Sequence, residues 1–112
     1  MITLVAHARL RPENIGPYLA VLAEMTAKVR QNEPGAVHYG FARSVDDPNT
    51  VLVIEVYADH AAFEAHWKTD YIWPSIDKTK PLMEGGSLDI KQYVSPGTEP
   101  VALGRMKRGQ PA

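Results

Sequence analysis

The sequence contains no cysteine among its 112 residues, and this absence excludes several kinds of chemistry. Disulfide bonds, thiol nucleophiles and cysteine-ligated iron–sulfur clusters all require that residue. A chain without cysteine is compatible with the reducing cytosol, where disulfides are rare, so we expect a cytoplasmic protein. No basic segment followed by an apolar run opens the chain, and no signal peptide is therefore expected.

Long hydrophobic runs and an excess of charge are also missing. The apolar runs are far shorter than the roughly 20 residues that a membrane-spanning helix needs. The formal net charge is −1, and no basic stripe typical of nucleic-acid-binding proteins is present. We therefore expect neither a membrane nor a nucleic acid as partner. The one basic cluster, residues 105–108, is interpreted as a solvated chain end, with an anionic partner as the alternative.

The first third of the chain predicts a strand and a helix within a single small domain. Residues 2–10 alternate with period two, which is typical of a strand. Apolar residues spaced by three and four then predict a helix from about Pro12 or Asn14 to Asn32. Because proline fits only the first turn of a helix, Pro17 favours a regular start near Asn14. Residues 33–35, Glu-Pro-Gly, are expected to end the helix.

The remainder predicts two antiparallel strands, a helical region and a last strand. The strands are expected at residues 36–45 and 50–57, joined by a turn at 46–49 that is rich in Asp, Pro and Asn. Helices are expected after Asp59 to about Lys68 and, less regularly, within residues 71–80, followed by a strand at 87–94. The order β-α-β-β-α-β predicts an α+β, ferredoxin-like fold with an antiparallel sheet.

The predicted sheet has apolar residues on both faces, whereas its helices can cover only one. We interpret Leu4, Ala6 and Ala8 as part of the uncovered face. The simplest cover is a second copy of the same sheet, which predicts a twofold homodimer. The domain is expected to occupy residues 1–95. Residues 96–112, rich in Pro and Gly, are expected to form a tail that is disordered or lies across the partner subunit.

Several short motifs, taken in order, resemble those of one known family. They are an opening Met1-Ile2-Thr3-Leu4-Val5-Ala6, Glu33-Pro34-Gly35 followed by Tyr39, Asp47-Pro48, Glu55-Val56-Tyr57, and Ala61-Ala62-Phe63-Glu64-Ala65-His66 followed by Thr69. In this order and spacing they are similar to antibiotic-biosynthesis-monooxygenase (ABM) domains of the quinol-monooxygenase-like kind. The resemblance covers roughly residues 1–95.

The resemblance implies a dimeric α+β barrel with a pocket between sheet and helices in each subunit. Many members oxidise quinols, anthrones or related phenolics with molecular oxygen, without a metal or flavin cofactor. Other members degrade haem or isomerise small signalling metabolites, and the fold alone does not choose among these activities. The sequence departs from the family at Tyr57, where Trp is frequent, at Trp67, where a small aliphatic residue is common, and at Tyr71, where a second His often follows. These departures alter the pocket and leave the substrate open.

His66 and Glu55 are the candidate catalytic residues. An imidazole titrates close to neutral pH, which suits removal of a proton from a phenol. The alternative for His66 is a core histidine that is hydrogen-bonded to the backbone or to Glu55. A carboxylate within an apolar strand needs a partner, so Glu55 is expected either to orient His66 for catalysis or to form a purely structural pair.

Other residues are candidates for contact with a flat aromatic substrate. His7 lies on the mixed face of the first strand, where the haem-degrading relatives place an Asn that touches the ligand, and its alternative role is a hydrogen-bonded structural histidine. The candidate pocket aromatics are Tyr39, Phe63, Trp67, Tyr71 and Trp73. Aromatic residues at helical spacing also occur in ordinary cores, and both interpretations remain open at this stage.

No spacing typical of metal ligands is present, so no metal site is predicted. The leading hypothesis is a cofactor-independent monooxygenase that oxidises a small quinol-like or polyphenolic aromatic compound with molecular oxygen. The alternative is a non-catalytic protein that binds a small aromatic metabolite or haem, or a haem-degrading relative. A third hypothesis is a dimerisation module without a ligand.

Overall fold

A computed structural model describes residues 1–103 and confirms the ferredoxin-like α+β fold. The elements are β1 (Ile2–Arg9), α1 (Pro12–Asn32), β2 (Ala36–Arg43), β3 (Thr50–Tyr57), α2 (His60–Trp67), α3 (Ile72–Thr79) and β4 (Asp89–Val94). Two short 3₁₀ turns separate α3 from β4. The strands form one antiparallel sheet in the order β2-β3-β1-β4. The two central strands are therefore β1 and β3.

Helix α1 differs from its prediction at the start and along its buried stripe. It begins at Pro12, so that Pro17 lies in the second turn and removes the backbone bond to Glu13. Both residues are exposed, and water can hydrate the carbonyl group that this leaves free. On the buried side, Tyr18 is 2% exposed, whereas Leu19, which was expected in the stripe, is only partly buried.

The helices cover the face of the sheet that was interpreted as uncovered. Ile2, Leu4, Ala6 and Ala8 are at most 4% exposed and form part of the core together with the helices. The assignment of these residues to the helix-free face was wrong. Alternation along a strand separates two faces, but it does not indicate which of them the helices cover when both are apolar.

The opposite, helix-free face also carries apolar side chains. By the register of β1 and β3, Val5, Leu52, Ile54 and Val56 lie on it, together with His7 opposite Leu52. These side chains are only partly buried in a single subunit. We call these four apolar residues the outer apolar patch.

Residues 96–103, the first part of the predicted tail, pack back onto the same subunit. Val101 is 9% exposed and belongs to a second cluster with Ile2, Leu4, Tyr57 and Phe63. The rest of the predicted tail lies outside the described residues. No helix formed by residues 1–103 is both long enough and apolar enough to cross a bilayer.

Candidate functional site

A cavity of about 180 Å³ lies between the inner face of the sheet and the helices. Its walls are mainly apolar, with contributions from all four strands, from α1, α2 and α3, and from Leu88 and Leu103 on either side of β4. The polar groups that reach it include Tyr18, Tyr39, Glu55, His66 and Ser75. An apolar cavity with a few convergent polar groups is the usual form of a small-molecule site.

His66 is held in one orientation by a buried carboxylate. It lies in the last turn of α2, a helix capped by the Asp59 side chain, and is 1% exposed. Its Nδ1 lies 2.8 Å and 3.1 Å from the two carboxylate oxygens of Glu33. Because a carboxylate only accepts hydrogen bonds, Nδ1 carries the imidazole proton and donates a hydrogen bond to Glu33. In the neutral imidazole, Nε2 is therefore the nitrogen that can accept a proton.

Glu33 belongs to this candidate site and was not among the predicted site residues. It directly follows α1 and was interpreted only as part of the signal that ends this helix. In the structure it is 7% exposed, and it also accepts a hydrogen bond from the hydroxyl group of Tyr71. The carboxylate of Glu33 therefore links the end of α1 to His66 of α2 and to Tyr71 at the start of α3. The available signal was its place in the Glu-Pro-Gly motif, which the family resemblance already included.

The turn after Glu33 approaches helix α2 very closely. A Cβ atom added to Gly35 would lie 2.6 Å from the Cβ of Ala62, closer than two such atoms can approach. A glycine at position 35 therefore permits the observed distance between the turn and the helix. Glu33 and His66 lie on these same two segments, which brings their side chains within hydrogen-bonding distance.

Glu55 faces the other nitrogen of His66 without a direct hydrogen bond. Its Oε1 lies 3.9 Å from Nε2 and accepts a 2.5 Å hydrogen bond from the hydroxyl group of Tyr57. The expected hydrogen bond between Glu55 and His66 is therefore not formed, and Glu33 occupies that position instead. Burial raises the pKa of Glu55, and the negative charge of Glu33 adds to this. His66 and the Tyr57 hydroxyl group oppose the increase in this pKa.

The raised pKa of Glu55 predicts a pH-dependent effect of Glu55→Gln. The folded state binds a proton at Glu55 more tightly than the unfolded state does. Protonation of Glu55 therefore stabilises the fold fully at pH values below the ordinary pKa of 4.5, and this stabilisation is lost as pH rises through the pKa of the folded state. Glutamine cannot ionise and can still accept from Tyr57. We expect Glu55→Gln to raise Tm by a few degrees at pH 7, with the gain disappearing below about pH 4.

Thermal unfolding of both proteins across pH 3–8 measures this difference. The exposed Glu84→Gln is the matched control, because the same chemical change there involves no buried carboxylate. A constant difference in Tm between Glu55→Gln and the wild type at all pH values would contradict the prediction.

The predicted aromatic residues separate into cavity walls and supporting residues. Tyr39 and Trp67 line the cavity, and their rings lie 5.6 Å and 6.0 Å from that of His66. Trp73 packs against Trp67 at 5.5 Å between ring centroids. Phe63 packs edge-on against Tyr57 in the second cluster, and Tyr71 contacts the site through its hydrogen bond to Glu33.

His7 is on the opposite side of the sheet from the cavity. It pairs with Leu52, and both side chains belong to the helix-free face. Its Nδ1 atom is buried and has no hydrogen-bond partner in a single subunit. The structure therefore does not bring His7 together with His66 and Glu55.

Two tyrosines contribute hydroxyl groups to the polar end of the site: Tyr39, which was predicted, and Tyr18, which was not. Burial, reinforced by the charge of Glu55, raises the pKa of Tyr18 to about 12. The same two causes raise the pKa of Tyr39. Both hydroxyl groups therefore remain protonated at neutral pH and can donate hydrogen bonds. Among residues 1–103, no three histidine, aspartate or glutamate side chains are grouped so as to hold a metal ion.

Residues 1–72 match the antibiotic biosynthesis monooxygenase (ABM) family. The chain belongs to this family. A similar solved structure is that of a Caulobacter crescentus protein described as a "putative antibiotic biosynthesis monooxygenase". It has 30% sequence identity and a TM-score of 0.76, over 82% of this chain and 86% of that one. A Deinococcus radiodurans ABM structure, at 18% identity and a TM-score of 0.76, covers 91% of this chain and 99% of that one and shares the fold.

Two curated proteins are also similar in sequence. "Putative monooxygenase YcnE" of Bacillus subtilis is 28% identical over 80% of this chain and 93% of its own length. An uncharacterised Synechocystis protein is 25% identical over 82% of this chain, and the match spans 61% of that protein. The name of the Bacillus subtilis protein agrees with the family, and it specifies no substrate.

Proposed function

We propose that this ABM protein is a cofactor-independent monooxygenase that oxidises a small quinol-like phenol with molecular oxygen. The observation that carries the proposal is the buried pair of His66 and Glu33 beside an apolar cavity. Glu33 fixes the tautomer in which Nε2 is unprotonated. A histidine in this state is a suitable base for a phenolic proton at neutral pH.

The reaction needs few contributions from the protein. His66 Nε2 accepts the phenolic proton, and the resulting phenolate transfers one electron to molecular oxygen. The phenoxyl radical and superoxide combine by forming a carbon–oxygen bond. Return of the proton and loss of water then leave a quinone that contains one new oxygen. Quinol and O₂ are thereby converted to hydroxyquinone and water, with atoms and electrons in balance.

The surrounding groups favour the charged states of this sequence. When His66 becomes an imidazolium, the carboxylate of Glu33 lies 2.8 Å from Nδ1 and that of Glu55 lies 3.9 Å from Nε2. Both stabilise the positive charge at low local dielectric. The apolar walls limit the access of water to the radical pair. The catalytic pair of the proposal is thus His66 as base and Glu33 as its positioning residue, with Glu55 as an electrostatic partner.

The size of the cavity favours a small ligand over haem. Pockets for drug-sized ligands measure about 300–1,000 Å³, and this cavity of about 180 Å³ is smaller. A non-catalytic protein that binds a small aromatic metabolite would use the same walls. Turnover, rather than binding, therefore separates the two candidate functions.

Oxygen uptake by the purified protein, without added metal or flavin, tests the proposed function. A panel of hydroquinones and anthrones is offered as substrates, with a chelator present throughout. We expect oxygen consumption that is proportional to protein concentration and equimolar with the quinone formed. Binding of these phenols without oxygen uptake would contradict the monooxygenase and favour the binding protein.

A homodimer is part of the same proposal, and the outer apolar patch is its expected interface. Covering Val5, Leu52, Ile54 and Val56 with a second copy would remove a contiguous apolar surface from water. We expect light scattering at micromolar concentration to give about twice the chain mass of 12.4 kDa. Ile54→Lys, which introduces a charge into the patch, should give a monomer.

The exposed Val45→Lys in the β2–β3 turn is the matched control and should remain dimeric, because Val45 lies outside the patch and is 96% exposed. A wild-type monomer at micromolar concentration would refute this interface.

A further inference from the structure

The segment that follows β4 is fastened to the inner face of the sheet by one side chain. Gln92 pairs with Leu4 in the β1–β4 register, so both side chains are on the inner face. Its Nε2 donates to the carbonyl oxygen of Val101 at 3.0 Å, and its Oε1 accepts from the Val101 N–H at 2.7 Å. The two bonds satisfy both backbone groups of one residue and fix its position.

Two further contacts hold the same segment. The Val101 side chain is 9% exposed and packs in the second cluster, which includes Phe63 of α2. The ring Nε2 of His60, the first residue of α2, lies 2.6 Å from the carbonyl oxygen of Glu99 and donates a hydrogen bond to it. Residues 99–101 are therefore attached both to β4 and to the helix that carries His66.

This attachment determines where Leu103 lies. Two residues beyond Val101, Leu103 lines the same cavity as His66 and Glu55. The neighbouring wall consists of Leu88 and Ile90, which are 37% and 40% exposed. The cavity thus reaches solvent beside β4, and Leu103 borders it on that side. The segment lies beyond residues 1–72, which match the family model.

We infer that residues 99–103 form a specificity-determining wall in which Leu103 restricts the cavity to single-ring phenols. The inference rests on the proposed function, because it specifies the substrate class of the same site. An apolar cavity of about 150 Å³ is enough to hold benzene. The present cavity of about 180 Å³ accommodates one substituted ring. A second or third fused ring would extend from this volume toward the opening beside β4, which Leu103 borders.

Calorimetric titration with unreactive phenols of increasing size tests the inference without requiring turnover. The probes are 4-methoxyphenol, 6-methoxy-2-naphthol and 2-hydroxyanthraquinone, which have one, two and three rings. We expect the wild type to bind the one-ring probe at least tenfold more tightly than the three-ring probe. Leu103→Ala should reduce this ratio at least fivefold. Gln92→Ala should act in the same direction, because Leu103 is then no longer held in place.

Two matched variants separate wall effects from general destabilisation. Leu19→Ala removes a partly buried leucine that contacts the core but does not line the cavity, and Gln31→Ala removes an exposed amide from α1. Both should keep the wild-type preference, and the Tm of every variant is recorded. A size preference that Leu103→Ala and Gln92→Ala leave unchanged would overturn the inference. Failure of the wild type to bind any of the three phenols would instead overturn the proposed function.

Discussion

Replacing His66 with glutamine is expected to lower kcat for the best phenolic substrate by about 100-fold or more, the usual effect of losing a positioned base. Glutamine retains an amide N–H that can donate to Glu33, so the buried carboxylate keeps a partner. It cannot accept a phenolic proton. We expect the affinity for an unreactive phenol to change much less than kcat, because the apolar residues of the cavity wall are unchanged. Stopped-flow oxygen consumption and calorimetric titration measure the two quantities.

The control for this variant is His38→Gln. His38 lies on the opposite face of β2 and is exposed, so both the turnover and the Tm of this variant should resemble those of the wild type. Wild-type turnover in correctly folded His66→Gln would assign proton removal to another group or to solvent. A large decrease in the Tm of His66→Gln, with unchanged specific activity of the folded protein, would identify His66 as a structural histidine only.

Removing the Glu33 carboxylate is expected to destabilise the fold strongly. Glu33→Ala leaves both His66 Nδ1 and the Tyr71 hydroxyl group without their acceptor in a buried site. Loss of one partner from a buried pair costs about 3–5 kcal/mol of the free energy of unfolding. For a domain of this size, each kcal/mol lowers Tm by roughly 4–8 °C. Urea denaturation gives the free energy, and thermal unfolding gives Tm.

Two companion variants define this effect. Glu33→Gln keeps an acceptor for both donors and should retain part of the lost stability. Glu24→Ala removes a carboxylate from an exposed i,i+4 pair with Lys28 at 3.3 Å, where the expected cost is no more than about 0.5 kcal/mol. Equal decreases in the free energy of unfolding for Glu33→Ala and Glu24→Ala would mean that burial of the Glu33 carboxylate adds nothing to its contribution.

The fold was predictable because local patterns and the order of elements agree. Period two at 2–10, a nearly continuous apolar run at 50–57, period three to four in α1, and the turn residues between β2 and β3 each specify one element. The β-α-β-β-α-β order then restricts the topology. The side of the sheet that the helices cover was not predictable in the same way. Ala6 and Val5 are both apolar neighbours on β1, and only tertiary packing places Ala6 inside and Val5 outside.

The site was predictable in part. His66, Glu55 and Tyr39 belong to the motifs that resemble the family, Trp67 was a candidate as an aromatic residue beside His66, and all four line the cavity. The partner of His66 was not identified, because Glu33 is 33 residues away in the chain and stands at a helix end, where a polar residue is ordinary. Sequence spacing gives the face of one element, whereas a contact between two elements depends on how closely their backbones approach.

The contact between Gly35 and Ala62 has a consequence for the redesign of this protein. Two of the smallest residues set the distance between chain segments that carry an acid and an imidazole, yet neither of the two lines the cavity. A mutant library restricted to the cavity walls would leave this pair unvaried and so preserve the geometry of the base. A library that enlarged either residue would increase the distance between Glu33 and His66 without changing any residue of the cavity wall. In this domain, the geometry of the buried pair is therefore decided partly by steric fit one helical turn from His66, outside the cavity.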